Sequence, residues 1–327
     1  MRFYESTSTD PYENLALEEY FFRCMDRGED YFILWQNDRA VIVGKYQNTL
    51  EEVNRRFADE HQIRVARRLS GGGAVYHDLN NLNYTFIVDE QKADAFCFEV
   101  FTRPVISVLR KLGVEASVVG RNDIAIGGKK ISGSSQYFRD GRLLHHGCIL
   151  LDCDVDTLSQ VLQVKESKIQ SKSIKSVRSR VTGINEHLKT PITMEQFKAA
   201  LRDEVFAFNT PELVQLTKTD QQEIRKLRDE RYATWEWNEG ESPRCDLCKE
   251  RRFPFGTITL YLEMVGGRIE HARICGDFFG RLDIGVLERM LRGCRLVEED
   301  ILPFKEVELN AYIFGITWEN WLDLICG

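Results

Sequence analysis

Alternation of apolar and polar residues, broken only at their ends, marks two strands in the first third of the chain, Ile63-Arg64-Val65-Ala66 and Asn83-Tyr84-Thr85-Phe86-Ile87-Val88. Upstream of them the period changes. Asp10-Pro11 supplies an N-cap and a first-turn proline, and Leu15, Leu17, Tyr20, Phe21, Cys24 and Met25 recur near helical spacing, which predicts an amphipathic helix with a core face. Tyr31 to Trp35 and Ala40 to Gly44 read as strands around the polar turn Gln36-Asn37-Asp38. Thr49 followed by Glu52 has capping-box spacing and opens a helix through about Ala58.

Farther on, Asp94 to Leu112 reads as a helix that Pro104 kinks and Gly113 stops, and a strand follows from Val114 to Val119. Ile124-Ala125-Ile126, Gly127-Gly128 and Lys129-Lys130-Ile131 form strand, turn and strand, which puts Lys130 on a hairpin strand beside a glycine turn. Asp140-Gly141 marks a second hairpin, from which Arg142 to Leu151 returns as a long strand. Met194 to Phe208 and Asp220 to Tyr232 are helical, and Gly240-Glu241-Ser242-Pro243 reads as a linker. Beyond it, a hairpin (Thr257 to Met264, Gly266-Gly267, Ile269 to Ile274) and helices at Gly285 to Leu291 and Glu298 to Val307 make a compact α+β unit.

The 327 residues suit one large domain and one small one. A net charge of −7 argues against broad nucleic-acid binding, so no nucleic-acid partner is expected. No apolar run approaches the roughly 18 residues of a membrane span. The start MRFYESTSTDP also lacks a basic-then-apolar signal pattern, so a cytoplasmic protein without a membrane partner is expected. Nine irregularly spaced cysteines fit reduced thiols in that compartment. Cys245-x-x-Cys248 is the one suggestive pair, but a structural zinc would want a second, and Cys275 and Cys294 are too far apart to form it.

One stretch makes no sense as core: Arg67-Arg68-Leu69-Ser70-Gly71-Gly72-Gly73-Ala74-Val75-Tyr76-His77-Asp78. Three successive glycines imply backbone that takes positive φ or lies against something. Their N–H groups could form an anion nest, with the arginines as flanking cations. The bland alternative is a glycine-rich hairpin with solvated arginines. Nucleotide motifs do not decide between them: GxGxxG fails at Tyr76, and GxxxxGK[ST] fails because Lys130 follows Gly128-Lys129. Lys165, Lys168, Lys172, Lys175, Arg178 and Arg180 stand among serines with almost no opposing acid. Such a run is either a solvated loop or one that closes over polyphosphate.

RRLSGGGAVYHDLNNLNYTF resembles the signature of the lipoate–protein ligases, and GRNDIAIGGKKISGSSQ, residues 120 to 136, resembles their lysine motif. His145 to Leu151, Ser176 to Val181 and Trp235 to Asn238 continue the likeness, which spans nearly the whole chain. The resemblance implies an α/β (α+β) fold: a large mixed-sheet domain over residues 1–245, resembling the biotin/lipoate ligase fold, and a C-terminal accessory domain over 250–327. It implies activation of lipoate by ATP, with Mg²⁺, to lipoyl-AMP, then transfer to a lysine. The implied acceptors are lipoyl domains of 2-oxo acid dehydrogenase acyltransferase subunits and the glycine-cleavage H protein.

Carried over residue by residue, the resemblance puts Arg68, Gly73, Ala74, Val75, Tyr76, Lys130 and Ser134 on the nucleotide, with Lys130 catalytic and touching both acyl carbonyl and phosphate. Arg67, Ser70 and His146 fall along the acyl pocket, and Asp123 orients phosphate or Mg²⁺. Asn80 stands where the family usually has glycine, and Ser135 where alanine is common. His77 reads as a hydrogen-bonded structural residue. The chemistry agrees: in-line attack on an α-phosphate needs positioned cations more than acid–base groups. Two rivals stay open, a cysteine-thioester acyl transferase using Cys148 beside His145 and His146, and a non-catalytic lipoyl-adenylate-binding protein. Biotin ligase fits the two blocks less well.

Overall fold

A computed structural model describes residues 1–90, 97–162, 180–240 and 245–327. Most of the basic stretch Lys165 to Arg180, the linker residues after Gly240 and residues 94–96 lie outside them; Cys97 and Phe98 are not helical, so the helix expected from Asp94 begins at Glu99. The strands in chain order are β1 (Arg2–Glu5), β2 (Tyr31–Trp35), β3 (Ala40–Val43), β4 (Arg64–Arg67), β5 (Val75–His77), β6 (Asn81–Asp89), β7 (Ser117–Val119), β8 (Asp123–Ile126), β9 (Lys129–Arg139), β10 (Arg142–Leu150) and β11 (Glu212–Leu213). Three more follow: β12 (Leu247–Phe253), β13 (Gly256–Val265) and β14 (Arg268–Gly276). They form a mixed eight-stranded sheet ordered β11-β1-β2-β6-β10-β9-β8-β7 and two three-stranded sheets, β4-β3-β5 and β12-β13-β14.

Both faces of the large sheet are covered. On one face lies helix α1 (Pro11–Cys24), whose Leu15, Phe21 and Phe22 pack on Tyr31, Ile33, Ile87 and Leu144. Its start is as read: the Asp10 side chain accepts from Tyr12 N, and Pro11 opens the first turn. The other face is covered by α2 (Glu99–Lys111) and α3 (Met194–Val205), through Val105, Leu109, Phe197 and Leu201. Each such fully buried aliphatic or aromatic side chain contributes about 1.5–3 kcal/mol. Among the described residues no helix is long and apolar enough to cross a membrane. All nine cysteines are free.

Both expected hairpins form. Gly127 and Gly128 take φ of 56° and 79° between Ile126 and Lys129, which pair, and Asp140 and Gly141 take 52° and 76° between Arg139 and Arg142. Other readings change. The strands around Gln36-Asn37-Asp38 do not pair; that turn carries the chain from the large sheet to the small one. The single helix expected from Thr49 breaks into Thr49–Glu52 and Arg55–Glu60, because Val53 is extended. No capping box forms there, since the Thr49 hydroxyl donates to the Asn238 carbonyl and accepts from Arg67. Strand β12 escapes a pattern reading because Lys249, Glu250, Arg251 and Arg252 interrupt its apolar face.

Candidate active site

Register across the large sheet lines up Trp35, Asn83, Cys148 and Gly133 on β2, β6, β10 and β9. This row floors a cavity of about 140 Å³. Opposite stand Leu15 of α1, Ile42 of β3 and the segment Gly72 to Val75. Arg68, Gly73, Ala74, Val75, Lys130, Ser134 and His146, all expected at the site, line it together. Tyr76 does not: its ring packs with Val41, Val43 and Val65 on the far side of the small sheet.

The glycines have separate reasons. A Cβ on Gly71 would fall 2.2 Å from the Phe278 carbonyl oxygen, Gly72 holds φ at +91°, and around Gly73 nothing stands within 4 Å. Close approach, backbone conformation and access thus explain one glycine each. The loop is not the nest of free N–H groups its sequence suggests, because Gly72 N donates to Phe278 O at 3.3 Å. Arg68 organises it from inside. Its Nη2 donates to Gly71 O (2.7 Å) and Gly73 O (2.9 Å), Nη1 to Ile42 O, and Nε to Ser70 Oγ. Burial lowers this guanidinium to about 10, so it remains a cation at neutral pH.

Arg67, expected along the acyl pocket, points elsewhere. Period-two alternation turns it to the opposite face of β4. There its Nε donates to Trp237 O and its Nη1 to the carbonyls of Gly44, Lys45 and Gln47. Nη2 serves Thr49 Oγ1 and Asn238 O. It fastens the 235–238 turn and the 44–49 loop behind the site, and has no donor to spare for a ligand.

Lys130 occupies the mouth of the cavity. Its Nζ lies 2.8 Å from Asp123 Oδ1, both side chains about a third exposed. It stands over Gly133, where a Cβ would sit 2.6 Å from Nζ. The bridge to Val181 holds its backbone, with Lys130 N donating to Arg180 O and Thr182 N to Lys130 O. Asn122 and Ser134 are stitched together beside it: Asn122 Nδ2 donates to Ser134 O at 2.6 Å, and Ser134 Oγ to Asn122 O at 3.0 Å.

Deeper in, a chain of hydrogen bonds runs Ser70–His146–Glu18–Thr85–Trp35. Ser70 Oγ lies 2.6 Å from His146 Nε2, and Nδ1 lies 2.9 Å from Glu18 Oε1. Glu18 also accepts from Thr85 Oγ1 at 2.6 Å, which accepts from Trp35 Nε1 at 2.9 Å. Ser70 thus meets the cavity through His146. Ser135, the family departure, ties sheet to loop by donating to Gly71 O at 2.9 Å. Cys148 is on the cavity wall, but burial pushes its thiol up to about 12, in spite of the opposing charge of Lys130. That is the wrong direction for a nucleophilic thiolate.

Trp35, Ile42, Asn83 and Glu18 carry no sequence signal. Three are ordinary strand positions, and Glu18 sits in a helix where a buried carboxyl looks like a solvated one. His77 and Cys148 were legible as residues, but not as cavity lining.

The cavity thus joins an apolar middle to the Lys130–Asp123 pair, beside the loop that Arg68 holds. Residues 10–206 match the family model of the lipoyl protein ligase A/B catalytic domain, and residues 242–325 that of the bacterial lipoate protein ligase C-terminus. The lipoate-protein ligase LplJ of Bacillus subtilis is 44% identical over 97% of each chain. The crystal structure of LipL1 from P. falciparum in complex with lipoate superposes with a TM-score of 0.80 at 26% identity, covering 99% of this chain and 98% of that one. A lipoate-protein ligase A bound with ATP gives 0.61 at 29% identity, covering 73% and 98%. The chain belongs to the lipoate–protein ligase family.

Proposed function

We propose that this ligase activates lipoate with ATP and passes the lipoyl group to a specific lysine of lipoyl-domain proteins. The observation that carries the reading is Lys130, an ammonium held by one carboxylate at the mouth of an apolar cavity. In the first step a lipoate carboxylate oxygen attacks the α-phosphorus, forming the acyl–phosphate bond and releasing pyrophosphate. Negative charge grows on the phosphoryl oxygens, and Lys130 Nζ is placed to stabilise it while also holding the acyl carbonyl. In the second step the acceptor amine attacks that carbonyl, loses a proton and expels AMP.

Arg68, Gly73, Ala74, Val75 and Ser134 are assigned to the nucleotide side and His146, backed by Ser70, to the acyl side. Arg68 acts mainly by fixing the loop, since its donors are engaged with backbone. Asp123 is a single carboxylate, and among the described residues no group of three acidic, His or Cys side chains could hold a metal. Asp123 would help to hold a Mg²⁺ beside the phosphates. The ion would neutralise charge on the departing pyrophosphate.

Residues 1–245 are proposed as the catalytic unit and 250–327 as an accessory unit. In support, β12 to β14 and their helices pack a core from Ile258 to Ile325, which Tyr46 of the first unit joins. The proposed acceptors are lipoyl domains of 2-oxo acid dehydrogenase acyltransferases and the glycine-cleavage H protein. The proposed compartment is the cytoplasm, in keeping with nine free thiols.

The test is isotope exchange between pyrophosphate and ATP. Exchange that requires lipoate is the expected result. Lipoyl transfer without ATP from a thioester donor, abolished by Cys148→Ser, would replace this reading with the cysteine transferase.

A further inference from the structure

Two buried nitrogen groups on the cavity wall have no hydrogen-bond partner among the described residues: His77 Nε2 and Asn83 Nδ2. Both side chains are 3% exposed or less. Leaving a buried donor unmet is costly, so two at one site point to a ligand that meets them.

The proton on His77 can be placed by following amides through the structure. Asn14 Nδ2 donates to the carbonyls of Ser8 and Gln36, which fixes the orientation of its amide, and donates also to Asn37 Oδ1. Asn37 must then present Nδ2 to His77 Nδ1, 3.2 Å away. Nδ1 is therefore an acceptor, and the ring proton sits on Nε2. Burial pushes the ring down to about 3, which keeps it neutral. His77 thus offers the cavity one N–H, and Asn83 offers its amide.

Their position is the far end from Lys130. Asn83 follows Cys148 and Gly133 in the register row, two strand spacings from the residue beneath the Lys130 ammonium, or roughly 9.5 Å. His77 is at the same end, its ring 6.4 Å from that of Trp35, which pairs with Asn83. An eight-carbon acyl chain with its carbonyl at Lys130 spans about 9 Å by ordinary bond lengths. Its ω-end therefore arrives at these donors.

We propose that His77 and Asn83 are specificity determinants that select an acyl chain carrying hydrogen-bond acceptors at its far end, the ring sulfurs of lipoate, over a hydrocarbon end of the same length. This rests on the ligase reading above. Water can serve both donors in the empty cavity. A hydrocarbon terminus displaces it and leaves them unmet, whereas sulfur, a weak acceptor, meets them in part. Selection thus comes from the penalty on the wrong chain more than from the strength of the right contact.

The test is calorimetric binding of lipoate, octanoate and 5-cyclopentylpentanoate, the last having the ring shape of lipoate with no acceptor. Wild type is expected to bind lipoate about tenfold more tightly than the cyclopentyl acid. In Asn83→Leu and in His77→Phe, checked for folding by circular dichroism, the ratio should shrink, with octanoate affinity unchanged or improved. Equal affinity of wild type for lipoate and the cyclopentyl acid overturns the proposal, and needs no variant to fold. So does a ratio that survives both substitutions. Wild type that binds none of the three acids overturns the ligase reading itself.

Discussion

The two ends of the cavity are built differently. At the mouth, Lys130 and Asp123 form one pair about a third exposed, and the backbone of Lys130 is held by a bridge to the residue after Arg180. At the blind end Glu18, His77, Asn83 and Thr85 are all buried, and Trp35, Thr85, Glu18, His146 and Ser70 hold one another in fixed geometry. The difference teaches a division of labour. In the proposed reaction charge develops at the mouth, where a cation would meet phosphate, release it and later admit a protein lysine, and fit would be decided at the blind end, where rigidity makes a missing acceptor costly.

The largest effect should come from the mouth. Lys130→Ala is expected to lower lipoate-dependent pyrophosphate exchange by about 10²–10³ while the melting temperature stays within a degree or two, since a positioned donor is lost and no core contact. Its neighbour on the strand, Lys129→Ala, should keep most of its exchange activity. A larger defect in Lys129→Ala would assign the ammonium wrongly.

Arg67 offers the converse, a cation of the same motif that supports the site without facing it. Arg67→Met leaves several buried carbonyls without a donor and should cost about 3 kcal/mol in urea unfolding. Exchange per folded molecule should fall much less than in Lys130→Ala. A severe catalytic defect in a stable Arg67→Met protein would return the residue to the acyl pocket.

The blind end should show itself in acid. His77 titrates near 6.5 when unfolded and about 3 when folded, so the unfolded chain binds the extra proton first as pH falls. Its contribution is complete above pH 6.5 and is lost on going down toward 3. The slope is at most about 1.4 kcal/mol per pH unit for this one group. His77→Phe should therefore give a shallower fall in stability between pH 6.5 and 4. An unchanged slope would mean the ring is not held neutral.

The smallest effect belongs to Cys148. Cys148→Ser should leave ATP-dependent lipoylation within about twofold, because the thiol is held protonated and the proposed activated species is the adenylate. Loss of transfer in the folded variant would revive the thioester rival.

How much of this could be read beforehand follows the same division. At the mouth the glycine turn at Gly127-Gly128 put Lys130 on a hairpin strand, while the glycine triplet left a ligand loop and a plain hairpin both open until the family resemblance was weighed. Alternation found most strands but not their partners. Tyr31–Trp35 and Ala40–Val43 read as neighbours and belong to different sheets, because pairing is decided by tertiary packing. The blind end was hidden for that reason. Glu18 and His146 are 128 residues apart and meet only across the packed helix and sheet. The paired arginines were alike in sequence and opposite in role, since only the register of β4 tells which one faces the cavity.

The division of labour is tested most directly by the steady-state kinetics of pyrophosphate exchange against lipoate concentration in wild type, Lys130→Ala and Asn83→Leu. The account predicts that Lys130→Ala loses about 10²–10³ in kcat with the lipoate KM changed by no more than about threefold, and that Asn83→Leu keeps kcat nearly intact and shows any effect in KM alone. A Lys130→Ala enzyme impaired only in KM, or an Asn83→Leu enzyme impaired only in kcat, would contradict it.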